Sequence, residues 1–375
     1  MKDFLVILLT VCILSGCGNN SQNEHVGFEF ELEVVDSIQV GVMESISAID
    51  FNSDFGAIFG IQTQTLTTFG FDGSIINSKT FPQDGPGSVS FITDLKILED
   101  GKLLLYPFNS HKLPLLNNEL EVEKYYEMPF KSELQGAAYF QRMFALHNDD
   151  VYLFYPGRDG GVPYLNDFYK NHKVLEKLNL TSGSTEAVFQ LPDNSKYLSD
   201  LTYEYPTVAV SSNDDLIYLA LDTESLIHVF DPNAKEESLE TLDFAPTKFV
   251  QMEGSKEEFV SSYGKQMKGG VKNLYAVPGG VVVYYSEGIN EEVYQREGLH
   301  ERENWSRRPD FDGNILKIYQ KENGWSNEIV LPPHMRAVSG ISDLFEDFWA
   351  MRYDDYLGEE QDYLTFYRLK LKQKQ

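Results

Sequence analysis

Fifty-eight acidic residues against 31 basic ones give this 375-residue chain a formal charge of −27, so any cluster of arginines stands out. The densest is Arg296, His300, Arg302, Trp305, Arg307 and Arg308. A guanidinium forks carboxylates through paired N–H donors and an indole stacks on flat apolar faces. Trp305 and Arg308 could therefore hold an anionic or sugar ligand. Glu297, Glu301, Glu303 and Asp310 share the stretch, and salt bridges within the loop are the competing reading. A second set is dispersed: Arg142, Tyr205, Tyr275 and Arg336 lie in or beside strand-like stretches, and Arg158 lies in a polar insertion. An arginine is hard to bury without a partner. Arg142 and Arg336 thus mark a site of convergent polar groups, whereas the tyrosines could simply pack between sheets.

Catalytic templates fail. His300-Glu301-Arg302-Glu303-Asn304 opens like a His-Glu-x-x-His zinc helix but ends on asparagine. There is no Gly-x-Ser-x-Gly elbow and no phosphate-cradling glycine loop, and the seven histidines form no ligand pair at metal spacing. Asp310-Phe311-Asp312-Gly313-Asn314 offers oxygen donors suggestive of calcium, yet lacks the spacing and terminal acid of an EF-hand loop. It reads most simply as a hairpin turn. No catalytic residue, metal ligand or cofactor is assigned, with calcium the one ion left open. So acidic a body also argues against nucleic acid as a partner.

The two cysteines, Cys12 and Cys17, fall in the first seventeen residues. Lys2, the apolar run from Phe4 to Ile13 and the small residues before Cys17 describe a secretory signal, well short of the ~20 apolar residues that span a bilayer. Leu14-Ser15-Gly16-Cys17 resembles the lipobox of bacterial lipoproteins. The resemblance implies lipidation of the Cys17 thiol, cleavage before it and acylation of the new amino terminus. Residues 1–16 are then a signal peptide and 17–27 a flexible tether, with the membrane a partner through the lipid. Gly18 stands where such lipoproteins carry the aspartate of inner-membrane retention, which points to the outer membrane of the cell envelope. The domain beyond would have no disulfide and rest on its core alone.

What must position these groups is a repeat. A polar turn followed by a short apolar strand recurs six times: before Phe55 to Ile61, Lys102 to Tyr106, Val151 to Tyr155, Leu216 to Leu221, Val281 to Tyr285 and Phe348 to Arg352. The spacing of roughly 45 to 66 residues suits four-stranded blades with insertions. The fourth copy shows all four strands, at Val208 to Val210, Leu216 to Leu221, Ile227 to Asp231 and Leu239 to Phe244. In the second copy, Asp84-Gly85-Pro86-Gly87 and Asp100-Gly101-Lys102-Leu103 resemble NHL repeats. Taken whole, residues 28–375 resemble six-bladed propeller lipoproteins of the NHL/TolB-like kind, a family that implies the fold and brings no established activity. The expected fold is an all-β six-bladed β-propeller in which the strand at Phe28 to Val34 joins the last strand, Tyr363 to Leu371, to complete the final blade.

Insertions near 156–172, 245–270, 287–312 and 354–361 fall between second and third strands or between blades, so all four should crown one face. Loops of this length on a rigid scaffold are where binding residues usually sit. One of them carries a capping box at Ser255 to Glu258, with Phe259, Val260, Tyr263 and Met267 on one helical face. The expected function is an anchored propeller that binds an unidentified protein, small molecule or carbohydrate through the insertion-bearing face. Two alternatives remain: a calcium-dependent hydrolase or lactonase using channel acids and amides such as Asp50, Asp94, Asn148 and Asp343, and a structural part of an envelope complex.

Overall fold

The structure is a computed structural model. It describes residues 28–374 except 83, 84, 86, 90, 108, 109, 130–139, 155–167, 205, 214, 235–237 and 257–263. Cys17, Arg158, Tyr205 and the body of the helix expected after the capping box lie outside the described residues.

Six antiparallel sheets follow one another around a ring. The first strand, β1 (Phe30–Val40), precedes blade one, which is β2 (Ile46–Phe51), β3 (Gly56–Gly60), β4 (Thr65–Phe69) and β5 (Ile75–Thr80). Blade two holds β6 (Ile92–Ile97), β7 (Leu103–Pro107), β8 (Lys112–Leu116) and β9 (Val122–Glu127). Blade three holds β10 (Phe144–His147), β11 (Asp150–Phe154), β12 (Leu175–Asn179) and β13 (Thr185–Val188). Blade four comprises β14 (Val208–Ser212), β15 (Ile217–Leu221), β16 (Leu226–Phe230) and β17 (Glu240–Asp243). In blade five, β18 (Gly270–Val277), β19 (Gly280–Ser286) and β20 (Asn314–Gln320) are flanked by an outer strand in two pieces, β21 (Gly324–Trp325) and β22 (Ile329–Leu331). Blade six is β23 (Met335–Ser339), β24 (Phe348–Arg352) and β25 (Leu364–Gln373), completed by β1.

The strand pattern follows from the packing. Each blade is sandwiched between two others, so a second strand such as β19 is buried along its whole length and reads as an unbroken apolar run. Outer strands meet water; β5 has no fully buried residue. The recurring polar turn is explained in blades one and four by asparagine. Asn52 Oδ1 accepts the N–H groups of Asp54 and Phe55, both at 2.9 Å, and Asn213 Oδ1 those of Asp215 at 3.1 Å and Leu216 at 2.9 Å. Each is an Asx turn that reverses the chain without a partner from elsewhere.

Closure of the ring is as expected. β1 pairs with β25 from Phe30 opposite Gln373 to Val40 opposite Leu364. Asn327, in the gap between β21 and β22, accepts from Phe30 N at 2.7 Å and donates to Phe30 O at 3.0 Å, stapling blade five to the closing strand. On the other side of blade six the seam is aromatic. Phe51 stacks on Trp349 at 5.2 Å and Phe69 on Phe366 at 5.5 Å between ring centres. Gly56 is required there, because a Cβ would lie 2.5 Å from the Phe69 ring.

The insertions emerge where second strands end and where blades connect, opposite the turns that join first to second strands. Among the described residues they carry three short α-helices, α1 (Phe168–Asn171), α2 (Glu291–Arg296) and α3 (Asp354–Leu357). They also lean on one another. Lys170 pairs with Asp200 at 2.8 Å, Thr202 bridges to Ser255 and Met267 to Ile289 as β-bridges, and Tyr356 donates to Asp310 at 2.7 Å. The result is an arc over blades three to six.

Candidate functional site

The first strands of the blades surround the ring axis, and four of them are bulged. Register shifts fall between Ile46 and Ala48, Ile92 and Asp94, Val271 and Asn273, and Arg336 and Ser339. A bulge re-aims the next side chain. Asp94 and Asn273 follow theirs directly, and each accepts a hydrogen bond from the next backbone amide, Leu95 N at 2.8 Å and Leu274 N at 3.0 Å. Both are thereby turned toward the axis.

Arg142, in the segment entering β10, lies among them. Its Nη2 pairs with Asp50 of blade one and reaches Ser339 Oγ of blade six at 3.5 Å. Its Nη1 lies 3.2 Å from Asp94 Oδ1 of blade two and also donates to Leu95 O. Its backbone N donates to Asn273 Oδ1 of blade five at 3.3 Å. The carboxylates are further held by backbone amides, Asp50 by Ile97 N at 2.8 Å and Asp94 by Met143 N at 2.7 Å. Asn273 Nδ2 donates to Tyr275 Oη at 3.0 Å, and Tyr275 in turn donates to Val338 O. Arg142 of blade three thus ties four other blades to its own, reaching blades one, two and six through its guanidinium and blade five through its backbone amide.

Electrostatics follow from burial. Desolvation pushes the Asp94 carboxyl up to about 6, against the pull of Arg142 and the Met143 amide. Desolvation works against the Arg142 charge too, but Asp50 and Asp94 outweigh it and raise its pKa further. Burial likewise raises the Tyr275 hydroxyl, which stays protonated.

Above this cluster lies a cavity of about 760 Å³ on the axis. Arg142, Asp50 and Tyr275 lie at its floor, and its wall is built from the ends of the first strands of all six blades, with Lys96, Glu99, Ser212, Asn213, Ser342 and Glu346 as polar lining. It opens on the face of the first-to-second strand turns, away from the insertions. The volume suits a small-molecule site, and the lining is more polar than most.

Of the residues singled out from the sequence, Arg142 and Tyr275 meet here through Asn273. Arg336 does not join them. It stands near the start of β23, at the crown end of the axis, with its guanidinium 4.4 Å from the Tyr353 ring centre, so of the three described residues expected to share a pocket, Arg142 and Tyr275 come together and Arg336 stands apart, while Tyr205 lies outside the described residues. Arg336 is the second residue of β23 and Ser339 the last, and a bulge with Ala337 at φ 52° lies between them. Trp305 and Arg308 face each other at 4.7 Å. Arg308 is used up by Leu299 O and Tyr294 Oη, and Arg296 and Arg307 by Glu297, with distances of 2.9 to 3.3 Å. Arg296 and Arg307 thus make the salt bridges within the loop that the competing reading expected, whereas Arg308 bonds a carbonyl and a tyrosine hydroxyl rather than a carboxylate.

Asp50 and Asp94 converge, but on Arg142. Asn148 and Asp343 remain in turns, with Asp343 capping Phe345 N at 2.8 Å. Among the described residues no group of three or more His, Cys, Asp or Glu is placed to hold a metal ion. Sequence reasoning missed Asn273, Ser339 and Lys96. Asn273 is the fourth residue of β18, and only the bulge before it makes it an axial group.

No protein-family model and no curated protein matches the chain. Among solved structures, a member of the DUF4221 family from Bacteroides vulgatus superposes with a TM-score of 0.65 at 10% identity, covering 93% of this chain and 100% of that one. A protein from Bacteroides fragilis described as exported gives 0.51 at 10% identity, covering 93% and 99%. At such identities the likeness shows a shared fold and carries no activity with it. No helix among the described residues is long and apolar enough to cross a membrane.

Proposed function

We propose that this chain is a lipid-anchored protein of the bacterial envelope whose propeller binds a small hydroxyl-rich ligand, such as a sugar, in the axial cavity. The observation that carries the reading is the cavity itself: about 760 Å³, walled by all six blades and lined by hydroxyls, two amides, three carboxylates and a lysine around an Arg142–Asp50 floor. Such groups exchange hydrogen bonds with a polyol at many angles. The hydrolase alternative needs acids free to gather around a cation, and Asp50 and Asp94 are already neutralised by the guanidinium between them. The site proposed is on the face away from the insertions, which serve as a self-bonded cover for the other.

The lipid reading rests on Leu14-Ser15-Gly16-Cys17. Cys17→Ser should move the protein from the membrane pellet to the soluble fraction. For the ligand, a panel of mono- and disaccharides would be titrated calorimetrically against the wild type and Ser342→Trp, which places an indole at the cavity mouth. Saturable heat in the wild type that disappears in the variant supports the site. Heat that persists in the variant, or none with any sugar, sinks it.

A further inference from the structure

Arg336, which is half-buried, is set apart from the buried arginines Arg142 and Arg352. Arg142 has two carboxylates and Arg352 has Asp354 at 3.3 Å and Glu359, whereas Arg336 makes no hydrogen bond or ion pair with any described residue. Its Nε is sealed from solvent with no acceptor, while its terminal nitrogens are not sealed. Tyr353 lies under the guanidinium, and Tyr284 of β19 and the carboxylates of Asp354 and Asp355 are near enough to act on its charge without pairing to it. Desolvation, the largest influence, pulls its pKa down. A guanidinium that has lost water at one nitrogen without gaining a partner there is costly to keep, and such a cost is sustained where something outside the chain occupies the nitrogens left open.

We propose that Arg336 anchors a carboxylate-binding site at the crown end of blade six. Its two open nitrogens present the planar fork that matches a carboxylate, and the tyrosine rings wall the position. Asp354 and Asp355 select the charge: a singly charged carboxylate tolerates them where a phosphate dianion is repelled. This site is separate from the axial cavity, which lies toward the opposite face, and stands or falls independently of it.

The test is titration of the full-length protein with sodium acetate and, separately, inorganic phosphate at constant ionic strength, followed by arginine side-chain ¹⁵N–¹H resonances and by the thermal midpoint. Acetate should shift one arginine signal saturably, with a dissociation constant on the order of 1 to 10 mM, and raise the midpoint. Arg336→Met should lose both responses, with a midpoint in chloride equal to or above that of the wild type, because no stranded charge remains. Arg336→Lys, which keeps the charge without the fork, should bind acetate about tenfold more weakly. Absence of a saturable shift, an unchanged response in either variant, or phosphate binding as tightly as acetate would overturn the proposal.

Discussion

Arg142 concentrates at one residue what holds the ring axis together. Removing only the cation, as in Arg142→Met, strands two buried carboxylates, and a broken buried pair costs about 3–5 kcal/mol. Urea unfolding should show a loss of that size. A loss below about 1 kcal/mol would mean that the amides of Ile97 and Met143 suffice for Asp50 and Asp94. The pH dependence has a definite sign. Burial raises the Asp94 carboxyl from its ordinary 3.8 to about 6, so the folded state binds this proton more tightly than the unfolded one. Its contribution to stability is complete below about 3.8 and is lost as pH climbs through about 6. The wild type should therefore lose stability relative to Asp94→Asn between pH 4 and 7, by on the order of 3 kcal/mol. A difference that stays flat across that range would contradict the raised carboxyl.

Single strands decide the next level. The second strands of the blades are recognisable because burial on both faces makes them uniformly apolar, and their turns because Asn52 and Asn213 bond their own backbone. These are local effects, confined to a few residues. The inner strands are another matter, since a bulge in β2, β6, β18 or β23 reverses which residues face the axis. Closure also depends on an element far from its partner: Phe30 is bonded to Asn327, 297 residues away. Asn327→Ala removes both bonds and should cost about 1–2 kcal/mol. Hydrogen exchange should speed up first along β1; protection unchanged there would show that the β25 ladder alone secures the seam.

For the molecule as a whole, the six-bladed ring, the blade limits and the closing strand were legible in the sequence, because each blade repeats one local pattern and a strand with one apolar face at Phe28 to Val34 had a match at the other end. The absence of cysteine beyond residue 17 is equally fixed by sequence, and so is the candidate lipobox. The location of the ligand site was not. Arg142 and Asp50 are 92 residues apart and Arg142 and Ser339 are 197 apart, and no spacing rule links them. Which charges meet at the axis is settled only when six strands, four of them bulged, converge there. The same holds for Arg336: a sequence shows an arginine beside a strand, and only packing shows that its Nε is sealed from solvent with no acceptor.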